Sequence, residues 1–151
     1  MKRIDLKILA WIALPLVLSV TSASALVPPT PFKGIVGLWV VEGQPDAGSG
    51  VPPFVNIATA ARDGFSLGEG TVVNVDPTAG TAVGNWKYAG GSAYKVRFSG
   101  FLAPEVRYVV RATLNVTGDT FTGPFAAEVL DLNGVVLFQY GGTVNGARQG
   151  P

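Results

Sequence analysis

The chain of 151 residues has no histidine and no cysteine, and only 14% of it is charged. Without an imidazole or a thiol there is no Ser-His-Asp triad, no cysteine nucleophile, and no zinc or iron site built on His or Cys ligands. Without cysteine there is no disulfide, so core packing and backbone hydrogen bonds must hold the fold. Eleven basic residues stand against ten acidic ones, so no charge excess draws the chain to nucleic acid or to an anionic membrane. From Ile35 onward no stretch keeps a period near 3.6, which argues against amphipathic helices. No residue pattern requires a metal or another cofactor. What is abundant is glycine, at 20 residues, proline, at 11, and hydrophobic residues, at 48%.

The first residues follow the pattern of a secretory signal. Met1 to Lys7 is charged, Ile8 to Val20 is an apolar run of 13 residues, and Thr21-Ser22-Ala23-Ser24-Ala25 supplies small residues ending in Ala-x-Ala. Thirteen residues make roughly 20 Å of helix, short of the roughly 30 Å hydrocarbon core, so no stable membrane span is expected after cleavage. The expected organisation is a signal peptide over residues 1–25, an extended Pro-rich lead-in over 26–34, and one domain over 35–148. Export to the periplasm or the medium follows. The signal holds Lys2, Arg3, Lys7 and Asp5, so its removal takes the net charge from +1 to −1.

Period-two alternation dominates the rest, broken at regular intervals by turn residues: Arg62-Asp63-Gly64, Asp76 to Gly80, Ala89 to Ser92, Ala103-Pro104-Glu105, Thr117-Gly118-Asp119 and Asp131 to Gly134. Strands are expected at 35–42, 54–61, 65–75, 81–88, 93–102, 106–116, 120–130 and 135–148. Eight long strands with short connections predict an all-β fold, a single eight-stranded antiparallel up-and-down barrel. Along 106–116, Val106, Tyr108, Val110, Ala112 and Leu114 share the dry side and Arg107, Arg111, Thr113 and Asn115 the wet one. Gly84, Gly100, Gly123 and Gly142 fall inside strands, where long strands coil or bulge. Pro124, with no N–H to donate, requires a bulge or an unpaired seam.

Gly37-Leu38-Trp39 opens the first strand and Arg148 closes the last. Barrel closure brings them together, where they can stack as a cation–π pair worth roughly 0.5–2 kcal/mol. The combination resembles the calycin superfamily of lipocalins, fatty-acid-binding proteins and avidins, and is similar to small secreted bacterial barrels of that type. The resemblance covers 35–148 in architecture and three residues in motif; the lipocalin Thr-Asp-Tyr motif is absent. It implies a barrel whose base is plugged by Trp39 and Arg148.

A barrel of this size admits side chains or one small ligand. The candidate lining is Trp86, Tyr88, Tyr94, Phe98, Tyr108, Phe121, Phe125, Phe138 and Tyr140. Residues 43–53 are the one long connection and resemble the lipocalin lid. Three functions fit: a carrier of a small apolar molecule; an isomerase or cyclase using the same cavity, as in allene oxide cyclase or dirigent proteins; or a filled barrel that acts through its surface. For the second, the tyrosines are the candidate groups, with Glu128 and Glu69 more distant. For the third, Lys87, Lys95, Arg97, Arg107 and Arg111 form a stripe across the outer face. No catalytic residue is assigned.

Overall fold

A computed structural model describes residues 34–64 and 68–150, and these contain eight strands and no helix. They are β1 (Gly37–Pro45), β2 (Phe54–Arg62), β3 (Glu69–Asp76), β4 (Gly80–Gly90), β5 (Ala93–Ala103), β6 (Val106–Thr117), β7 (Thr120–Asp131) and β8 (Val136–Arg148). Each strand pairs antiparallel with the next, and β8 pairs with β1 to close an up-and-down barrel. The all-β barrel expected from the turn spacing is thus the observed architecture. The signal peptide and most of the lead-in lie outside the described residues, as does 65–67, the start of the expected third strand.

Two turns are fixed by aspartates at strand ends. Asp76 Oδ1 accepts hydrogen bonds from Thr78 N, Thr78 Oγ1 and Ala79 N, at 2.6–3.0 Å. Asp131 Oδ1 accepts from Asn133 N and Val135 N. Each turn also contains a glycine at positive φ, Gly80 (81°) and Gly134 (84°), where a side chain would be strained.

The first strand is longer than expected. Gly43, Gln44 and Pro45 continue β1 rather than starting the long connection, because β8 runs far enough to pair with them, up to Pro45 opposite Gly142. The connection is therefore 46–53. It is tied at its start by a hydrogen bond from Asp46 N to Gly141 O (2.9 Å).

Trp39 stands directly opposite Arg148. The guanidinium lies 4.2 Å from the indole centroid, and the indole is 1% exposed. Trp39 Nε1 donates to Ile35 O (2.8 Å), and the ring packs 5.0 Å from Phe121. Arg148 donates to the carbonyls of Val36 and Gly34 and to the Asp119 carboxylate. This end of the barrel is the closed base. The opposite end carries the connections 46–53, 77–79, 104–105 and 132–135, and it forms the mouth.

Pro124 is accommodated by a seam. Pairing of β6 with β7 skips from Ala112↔Phe125 to Asn115↔Thr122 without a change of register, while Pro124 keeps its place opposite Thr143 on β8. The missing N–H costs one local gap in the ladder, on one side only.

A second pattern governs the interior. Five inward aromatic residues stand directly across from a glycine: Phe54 from Gly43, Trp86 from Gly70, Tyr108 from Gly100, Phe121 from Gly146 and Phe125 from Gly142. In each pair the ring occupies the space a Cβ would need; at Gly100 that Cβ would sit 3.0 Å from the Tyr108 ring and hydroxyl. A ring laid over a bare Cα lies along the barrel wall and covers backbone. Rings held this way leave the barrel axis open.

Candidate ligand-binding cavity

The space left by those rings is a cavity of about 290 Å³, near the lower end of the range of ligand pockets. Its walls come from the inward positions of the strands. Val41, Ala58, Val72, Val96, Val110 and Leu114 make them largely apolar. Val51 and Pro52 of the long connection reach it from the mouth, as do Thr78 and Ala79 of the β3–β4 turn.

Of the residues expected to line it, Phe98, Tyr108, Phe121, Phe125 and Tyr140 do so. Trp86, Tyr88 and Tyr94 do not. They face inward but sit where β4 ends and β5 begins, at the base, and there they fill space. Trp86 Nε1 donates to Ala61 O (2.9 Å), and Tyr94 packs against both Trp86 and Tyr88 with centroids 5.8 and 5.4 Å apart. The Tyr88 hydroxyl donates to Gly91 O. Phe138 misses the lining in the other direction: it lies at the mouth, 43% exposed, stacked 5.6 Å from Tyr140. Alternation gives a side chain's face correctly but not its depth along the axis.

Three lining residues escaped the sequence reading: Asn56, Asn74 and Asp76. Asn56 shares parity with Phe54, Ala58 and Ala60, and Asn74 with Val72, so polar residues in an inward register were the available signal. Asn56 and Asn74 are 7% and 4% exposed. They are satisfied by a chain of hydrogen bonds. With the Asn56 amide oriented to suit its neighbours, its oxygen accepts from Asn74 Nδ2 (3.1 Å) and its nitrogen donates to Asp76 Oδ2 (3.2 Å) and Val55 O (3.0 Å).

Burial alone would raise the Asp76 pKa, but hydrogen bonds from the Thr78 side chain and backbone, Ala79 N and Asn56 outweigh it and hold the carboxyl below its ordinary value. A carboxyl whose folded pKa is depressed stabilises the fold above its unfolded pKa and loses that contribution as pH falls through the folded value. The expected result is that Asp76→Asn weakens the protein at pH 7 and shows a shallower loss of stability from pH 5 to pH 3 than the parent. Urea midpoints across that window check it; parallel curves for the two proteins would contradict it.

The phenols behave oppositely. Burial first, and then the Asp76 charge, push the pKa values of Tyr108 and Tyr140 up, so both hydroxyls stay protonated. The Tyr108 hydroxyl is buried and has no hydrogen-bond partner. The cavity thus holds one ionised carboxylate, two neutral amides and two neutral phenols among apolar walls. No lining residue is Lys or Arg. The chain matches no protein-family model, no curated protein and no solved structure. Function must then be argued from the chemistry of the site itself.

Glu128 and Glu69 lie outside the cavity. Glu128 pairs with Arg111 on the outer face (2.9 Å), and Glu69 stands exposed across from Lys87. Lys87 is opposite Lys95 and Arg97 opposite Arg111, all exposed. Like charges facing each other across a ladder add nothing to stability. Arg107, the fifth member of the stripe, is also exposed, across from Phe101.

Proposed function

We propose that the protein is an exported carrier that holds one small apolar molecule inside its barrel, as the calycins it resembles do. The observation that carries this reading is an apolar cavity with a single polar cluster, in a barrel plugged at one end. The plug leaves the mouth as the way in. The mouth is rimmed by exposed apolar residues, among them Leu102, Leu132, Val135 and Phe138. Exposed apolar clusters of this kind mark binding sites more often than chance surface.

The expected result is that the uncharged fluorophore N-phenyl-1-naphthylamine binds at one site, and that Ala112→Trp, which places an indole in the cavity, weakens it at least tenfold. A circular dichroism melt confirms that the variant folds. Native mass spectrometry of the protein from its own source would show a co-purifying small molecule. A parent protein that takes up no fluorophore, with an unliganded native mass, would overturn the reading.

A second reading is favoured by one feature, the convergence of Asp76 with Tyr108 and Tyr140 on the cavity. An isomerase or cyclase would use the phenols to orient its substrate. The hydrogen bonds that keep the Asp76 pKa low make that carboxylate a weak base near neutral pH, so positioning would carry most of the catalysis. Conversion of a bound compound, against its release unchanged, separates the two readings.

A further inference from the structure

We infer that the cavity selects its ligand by the head group: it takes an apolar molecule that ends in a hydroxyl or an amine, and rejects the matching carboxylate. This rests on the carrier reading and adds the chemical class of the ligand.

The first observation is the Tyr108 hydroxyl. It is the one buried side-chain polar atom among the described residues with no hydrogen-bond partner, and the residue is 8% exposed. A buried donor left unpaired is a cost to the fold that phenylalanine at this position would avoid. Gly100 opposite provides the room for the ring, and a phenyl ring would use that room equally well. The oxygen is therefore of no use to the fold and is poised for something that enters the cavity.

The second observation is the polar chain that shares the cavity. It runs from Asn74 through Asn56 to the Asp76 carboxylate. Asp76 Oδ1 is taken by three donors from its own turn, while Oδ2 receives the Asn56 amide and keeps a lone pair for another donor. A head group placed here meets a phenol that donates and a carboxylate that accepts. A hydroxyl satisfies both, accepting from Tyr108 and donating toward Asp76. A protonated amine satisfies the carboxylate with added charge attraction.

The third observation is the lack of a counter-ion. With neither Lys nor Arg in the lining, a carboxylate or phosphate head would lose its hydration beside an ionised Asp76, with nothing positive to replace it. The charge inside this barrel is negative, and that sets the sign of what it excludes.

The test is a displacement series on the full protein at pH 8, with N-phenyl-1-naphthylamine as the reporter and three competitors of one chain length: decan-1-ol, decylamine and decanoate. The alcohol and the amine are expected to compete at least tenfold better than the carboxylate. Tyr108→Phe, which removes one atom and leaves the packing, is expected to weaken the alcohol about fivefold while leaving the reporter's own affinity unchanged. Asp76→Asn is expected to weaken the amine and strengthen decanoate. Equal competition by all three, or an alcohol indifferent to Tyr108→Phe, would overturn the head-group inference and leave the carrier reading standing. Failure of the reporter to bind the parent protein would overturn both.

Discussion

Replacing Trp39 with alanine is expected to lower the free energy of unfolding by about 3–5 kcal/mol, the range for truncating a fully buried large aromatic residue. The indole is 1% exposed, and it has three different anchors: the Phe121 ring, the Ile35 carbonyl and the Arg148 guanidinium. Losing it leaves a void at the base, and it also removes the surface that Arg148 lies on. Arg148 would keep its hydrogen bonds to Gly34, Val36 and Asp119 but would face water entering the barrel from below. A domain is stable by only about 5–15 kcal/mol, so the loss is a large share of the whole. Urea denaturation followed by circular dichroism measures it. A loss below about 1 kcal/mol would mean that the base is held without the plug, and the Gly37-Leu38-Trp39 and Arg148 motif would then say little about the fold.

The fold was legible because its two strongest signals are local. Period-two alternation identifies strands, and Asp-Gly or Pro-Gly punctuation gives their ends; eight strands with short links leave few arrangements other than a meander that closes. The pairing of Trp39 with Arg148 followed from that closure and not from any contact readable in the sequence. The cavity was legible in part. Inward parity found Phe98, Tyr108, Phe121, Phe125 and Tyr140, yet it also gathered Trp86, Tyr88 and Tyr94, because depth along the barrel depends on stagger between strands, which alternation does not encode. Asn56 and Asn74 were passed over for a different reason. A polar residue in an apolar register reads as an interruption until its partner is known, and theirs are each other and an aspartate that looks, in sequence, like nothing more than a turn residue. The openness of the interior was likewise hidden: nine aromatic side chains suggest a filled core, and only the cross-strand register shows that most of the lining rings lie over glycines.

Gly84→Ala is expected to be the most damaging change of a single methyl group, at about 3 kcal/mol or more, the upper end of the cost of overpacking. Gly84 stands across from Phe98 in the β4–β5 ladder, and its backbone is not in the left-handed region, so the penalty is purely steric. A Cβ there would run into the Arg97 carbonyl oxygen and the Phe98 Cα, both main-chain atoms. A flexible side chain can turn aside; a strand cannot. In an open sheet β4 and β5 might be separated at an edge, but in this barrel every strand is paired on both sides, and widening one gap strains the other ladders in the ring. Gly68→Ala is the control, since its Cβ would meet only the Tyr88 Cβ at 3.9 Å, an ordinary contact, and a change within about 0.5 kcal/mol is expected. Denaturant melts of the two variants beside the parent decide the matter. If Gly84→Ala and Gly68→Ala unfold together, β4 and β5 do not approach as closely as the closed barrel requires, and the glycines inside its strands are then not what allows those strands to coil.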